Sequence, residues 1–153
     1  MRKAYRILAD LIAIGVAVQA MAITWAMLGL LHWVDKGGGT LDHATLKGWE
    51  DKSPDFQGAA GFAIHGIVGT MVLPVLALAL LAVAFFAGVD GAVKWAAVVV
   101  VSVLIQVGAG MGGEDAPWLG LIHGLNAFAL FSVAIVAARA AHPGAQTAVT
   151  ATP

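Results

Sequence analysis

Five histidines, at positions 32, 43, 65, 123 and 142, are the residues of this chain best suited to chemistry. Two of them share a frame. His65 stands in "FAIHGIVGT" and His123 in "GLIHGLNAF", each as Ile-His-Gly within an apolar run. An ionisable group in such a run is costly to bury, and is a functional candidate for that reason. A neutral imidazole wants a partner on each ring nitrogen; a metal on one and a carbonyl or water on the other would supply both. The chain has no cysteine. That removes disulfides, thiolate metal sites, iron–sulfur clusters and haem attachment through Cys-x-x-Cys-His. Imidazole, carboxylate, thioether and backbone oxygen remain as ligands.

Small residues flank both histidines. Gly61 and Gly69 lie four before and four after His65; Gly120 lies three before His123 and Ala127 four after it. On a helix those positions share the histidine's face, which leaves a flat strip beside each imidazole. A haem macrocycle needs such a strip, whereas a zinc or copper ion needs three or four ligands close together. Two axial imidazoles from two helices are one way to hold haem iron. His65 and His123 are therefore expected to ligate a haem b, with Gly61, Gly69, Gly120 and Ala127 beside it. The competing use of the same glycines is close packing of membrane helices.

Three amides could join the site. Gln19 and Gln106 sit in apolar runs and could bond a cofactor edge, a quinone carbonyl or a neighbouring helix. Asn126, three residues after His123, could line the same pocket or tie helices together. His32 reads as an interfacial residue, with a haem propionate or a second metal as its functional alternatives; His43 and His142 read as solvated. Met111 is the one methionine that offers an alternative axial ligand. Asp10 can pair with Arg6 one turn earlier. No phosphate loop, nucleophile triad, His-Glu-x-x-His helix or paired catalytic carboxylate is present, and the glycine runs "KGGGT" and "GMGGE" read as turns.

The elements that must position these residues follow from composition. The 153 residues are 60% hydrophobic and 11% charged, against about 25% charged in a soluble domain, and mean hydropathy is +0.89. Four segments are long enough to cross a hydrocarbon core, which takes about 20 residues of helix: about 5–34, 56–88, 93–110 and 117–141. Length and the absence of strict alternation predict helices rather than strands. The expected fold is an all-α integral membrane four-helix bundle. The apolar N-terminal run is too long for a signal peptide and reads as a retained helix. Residues 35–56 form a polar loop with a short interfacial helix around "LDHATLKGWE", capped by Asp42, with Trp49 suited to the membrane–water interface. Pro74 should kink the second segment. The tail, 142–153, reads as a disordered cytoplasmic segment.

"AIHGIVGTMVL" and "LIHGLNAFALF" align, and the first and third segments each hold one glutamine. This predicts two parallel two-helix repeats. Counted from the segment starts, His65 is eight or nine residues in and His123 six, or about 12–14 Å and about 9 Å at 1.5 Å per residue. The depths agree within about a turn. Arg2, Lys3, Arg6, Lys94 and Arg139 on one side, against Lys36, Lys47 and Lys52 on the other, predict that both termini are cytoplasmic. Net charge is −1, so no nucleic acid partner is expected.

The order of Gln in the first segment, His-x-x-x-Gly in the second, Gln in the third and Leu-x-His-Gly-x-Asn-Ala in the fourth resembles a family of small four-helix bacterial membrane proteins of unknown function. More remotely it is similar to one half of haem A synthase, whose four-helix halves each offer two histidines to a haem-type cofactor. The resemblance covers roughly residues 5–140 and implies His65 and His123 as axial ligands in a bacterial inner-membrane protein. Haem A synthase has two such halves and further acidic and histidine residues; this chain has one half, which argues against synthase activity. The expectation is an electron carrier that meets membrane lipid and a quinone or a redox partner protein, and that could form a homodimer through small-residue faces. The alternative is a cofactor-free structural or assembly subunit of a membrane complex. A third reading is a proton or metal-ion path through His32, His65 and His123, against which the lack of a mid-membrane carboxylate weighs.

Overall fold

The computed structural model describes residues 1–142, and the described chain is all-helical, of the membrane helical-bundle type. The helices are α1 (Arg2–Asp35), α2 (His43–Asp51), α3 (Ala60–Ile67), α4 (Leu73–Ala84), α5 (Ala92–Met111) and α6 (Leu119–Ala140), with a π-helical turn, Val68–Val72, joining α3 to α4. Among the described residues four helices are long and apolar enough to cross a membrane: α1, α3 through α4, α5 and α6. The chain is accordingly a multi-pass membrane protein. At 1.5 Å per residue α1 is about 50 Å long, well beyond a hydrocarbon core of about 30 Å, so part of it lies outside that layer. The segment expected as a tail lies outside the described residues, apart from His142, which is exposed.

Helix ends differ from expectation for local reasons. The second span begins at Ala60 rather than near residue 56, because Gly58 takes a φ of +97° and breaks the helical path ahead of it. The kink expected at Pro74 takes the form of the π turn. Proline at the second position of α4 has no N–H to give to the carbonyl four residues back, and the wider turn Val68–Val72 directly precedes it. The short helix expected in the polar loop is α2, and Asp42 caps it: Oδ1 accepts the Thr45 amide at 2.8 Å.

The chain packs as two compact units. One contains Met1–Ala17 and the chain from Gly69; the other is Val18–Val68. In the first, α5 packs on both α4 and α6, and its deepest residues are Tyr5, Ile12, Leu80, Val99 and Leu130. The start of α1 is strapped to the α4–α5 turn by the Tyr5 hydroxyl, which donates to the Ala92 carbonyl at 3.1 Å, and by Arg2, which donates to the Gly88 carbonyl at 2.7 Å.

The second unit pairs the later part of α1 with α3 through small residues. A Cβ at Gly61 would collide with the Ala22 carbonyl oxygen, and one at Gly29 with the Gln57 carbonyl. Glycine here lets two backbones meet, the usual basis of tight membrane helix pairs. Above this contact an aromatic cluster joins α1, α2 and the loop between α2 and α3. Phe56 stacks on Trp33 at 6.0 Å between ring centroids, Trp49 lies 5.9 Å from both, and Phe62 meets Phe56 edge-on at 6.3 Å.

Candidate functional site

Each unit holds one of the two histidines in the same local arrangement. In Val18–Val68, His65 is on α3 and Gln19 on α1; His65 Nδ1 lies 3.1 Å from the Gln19 backbone carbonyl. In the other unit, His123 is on α6 and Gln106 on α5; His123 Nδ1 lies 3.0 Å from the Gln106 backbone carbonyl. A carbonyl oxygen can only accept, so Nδ1 carries the hydrogen in both rings. In the neutral imidazole that places the lone pair on Nε2. A histidine ligand whose other nitrogen donates to a backbone carbonyl is the common way of fixing tautomer and ring orientation at a metal. Both imidazoles are half-buried.

The amides hold these pairs. Gln19 is buried, and its side chain Nε2 donates to the Ile64 carbonyl at 3.5 Å, beside the His65 bond. Asn126 donates to the Gln106 Oε1 at 2.7 Å and to the Ser102 carbonyl at 2.8 Å. All three amides bond across to a neighbouring helix, one of the uses open to them from sequence. In each unit the glutamine contributes its main chain to the histidine and its side chain to a second bond between the same two helices.

The small residues divide. Gly61 is taken up by α1, as described, so its side of α3 is not the open strip expected beside His65. Gly69 lies in the π turn, where i→i+5 bonding departs from the 3.6-residue spacing that put it on the face of His65. Gly120 is exposed and a Cβ there would meet nothing within 4 Å; the same is true of Gly66 and Gly124, which directly follow the two histidines. Ala127 is half-buried. Gly110 was not singled out from sequence, yet a Cβ on it would lie 3.1 Å from both Cε1 and Nδ1 of His123. Its position, one turn after Gln106, is the signal that could have found it.

The remaining candidates lie apart from this arrangement. His32 and His43 are exposed at the ends of α1 and α2. Met111 is 71% exposed at the end of α5. Asp10 is exposed, and the ion pair expected with Arg6 does not form; among the described residues the ion pair present joins Lys36 and Asp35 at 2.8 Å. No group of three or more His, Asp or Glu side chains gathers as a metal-ion cluster among the described residues; a bis-imidazole haem centre calls for no such group. Comparison of the chain with protein-family models, with curated proteins and with solved structures finds no match to any of them.

Proposed function

We propose that this chain is an integral membrane b-type haem protein that transfers electrons, with His65 and His123 as axial ligands. The observation that carries the reading is the equivalent bond in each unit: Nδ1–H of the histidine donated to the main-chain carbonyl of a glutamine on the neighbouring helix. Two imidazoles of the same tautomer, with Nε2 as the ligating atom, are the donor set of a low-spin bis-histidine haem. Haem supplies a one-electron iron couple. The protein's own part is to fix tautomer and ring orientation through the main-chain carbonyls of Gln19 and Gln106. An iron held by His65 and His123 would be closed to small substrates, which favours an electron carrier over an enzyme. Its partners would be a quinone or a redox protein. The excess of lysine and arginine at the α1 start, the α5 start and the α6 end supports cytoplasmic termini in a bacterial inner membrane.

The test is an absorption spectrum of the detergent-purified protein before and after dithionite, with haem quantified per chain. A Soret band and a sharpened α band are expected, lost or strongly weakened in His65→Ala and in His123→Ala. A colourless protein from haem-replete cells overturns the proposal.

The cofactor-free structural reading draws on one observation of its own, the Asn126–Gln106–Ser102 network that ties α5 to α6. On that reading the histidines are further ties of the same kind, and both alanine variants lose stability in a protein that never had a spectrum.

A further inference from the structure

The unit containing Met1–Ala17 and the chain from Gly69 is electrically polar along its helices. One end gathers the start of α1, the α4–α5 turn and the end of α6, and with them Arg2, Lys3, Arg6, Lys94 and Arg139. Against these five cations stand Asp90 in the turn and Asp10 further along α1. The loop at the other end of α5 and α6 carries Glu114 and Asp115 and no lysine or arginine. The clustering is enforced by bonds. Arg2 and Tyr5 strap the first turns of α1 to the carbonyls of Gly88 and Ala92, which brings α1's cations to the turn that leads to Lys94. Lys94 Nζ lies 5.5 Å from the Trp95 ring centroid. Lys3, Lys94 and Arg139 are exposed and Arg6 half-buried, and none of the four pairs with a carboxylate among the described residues.

Large apolar side chains surround the cations. Phe85 and Phe86, at the end of α4, are 66% and 74% exposed, and Ile7 and Val93 lie on the same end. A free anion would satisfy the charges and leave these rings uncovered. A phosphodiester joined to acyl chains would satisfy both, and Trp95 is a residue type that favours that boundary.

We propose that this end of the molecule is a docking surface for anionic phospholipid headgroups, with Lys3, Arg6, Lys94 and Arg139 as the phosphate-facing cations and Phe85 and Phe86 beneath them against the acyl chains. The histidines take no part, so the proposal stands or falls separately from haem binding.

The experiment measures lipid bound to the purified full chain in detergent by native mass spectrometry, with added phosphatidylglycerol, phosphatidylcholine or inorganic phosphate. Phosphatidylglycerol is expected to bind at least tenfold more tightly than phosphatidylcholine, with the preference weakening in high salt. A variant carrying Lys3→Gln, Arg6→Gln, Lys94→Gln and Arg139→Gln should lose that preference; Glu114→Gln with Asp115→Asn should keep it. If the fourfold variant does not fold, Lys94→Gln and Arg139→Gln singly should each cost about fivefold, the worth of one surface cation near an anionic leaflet. Equal binding of the two lipids, retained preference in the cation variants, or equal effect of inorganic phosphate would each overturn the proposal.

Discussion

The Nδ1 atom of His123 lies 3.0 Å from the main-chain carbonyl oxygen of Gln106, and His65 repeats the relationship with Gln19 at 3.1 Å. A main-chain acceptor fixes the tautomer without depending on any side chain. Nitrogen-15 spectra of histidine-labelled protein should therefore show both residues protonated at Nδ1 in their neutral form. The signals should survive Gln19→Leu and Gln106→Leu, because the acceptor is backbone. Finding either ring protonated at Nε2 alone would remove the basis for axial ligation at that residue.

Gly110 and Gly108 offer a contrast within one helix. A Cβ at Gly110 would press on His123 at 3.1 Å, while one at Gly108 would meet nothing within 4 Å. Gly108→Ala should stabilise the protein by up to about 1 kcal/mol through helix propensity alone. Gly110→Ala should instead displace the His123 ring from Gln106, shifting its nitrogen-15 signals and leaving those of His65 in place. Thermal unfolding of the two variants in detergent, read beside the spectra, separates propensity from crowding.

Much of this was legible in the sequence, and the reasons for the rest are physical. Apolar run length located all four spans, and Asp42 announced α2 through cap chemistry. The paired histidines and glutamines stood out because polar groups are rare in such runs. Their bonding partners did not, because a carbonyl belongs to every residue and sequence does not say which one faces a ring. Gly61 shows the same limit. A glycine one turn before His65 fits a cofactor edge and a neighbouring helix equally well, and only the position of Ala22 decides between them. Pro74 signalled a departure from regular helix, but not that the departure would be a π turn. The aromatic cluster of Trp33, Trp49, Phe56 and Phe62 was invisible because its members come from four separate stretches of chain.

Asn126 donates to both Ser102 and Gln106, and it does so between helices. Asn126→Leu removes two donors and leaves two acceptors to find other partners. Interhelical hydrogen bonds in membrane proteins average about 0.6 kcal/mol each, so the loss expected for the pair is roughly 1 kcal/mol, seen in unfolding by denaturant in mixed micelles. A loss near zero would mean that the network is spectator to the α5–α6 contact.

Gly61 is the tightest point between α1 and α3. Gly61→Ala places a methyl group against the Ala22 carbonyl, and backbone cannot yield as a flexible side-chain tip can. Overpacking of this kind costs about 1–3 kcal/mol. The variant should unfold at lower temperature and should also disturb His65, whose bond to Gln19 spans the same two helices one turn away. Gly66→Ala, on the same helix and with open space around it, is the control and should neither lower the unfolding temperature nor disturb His65.

Asp42 carries a pH dependence. Its carboxylate accepts the Thr45 main-chain amide, and this bond holds its pKa below the ordinary carboxylate value. A depressed folded-state pKa stabilises α2 above the unfolded value of about 3.9, and the contribution is lost as pH falls through the folded value. Amide exchange in residues 43–46, referenced to α5, should therefore quicken as pH drops below about 4. Asp42→Asn keeps an acceptor oxygen at the cap and should abolish that pH response while leaving α2 protected. Asp42→Ala should leave α2 frayed across the whole range. If the native protein and Asp42→Asn respond identically to acid, the transition belongs to another group and the cap does not govern α2.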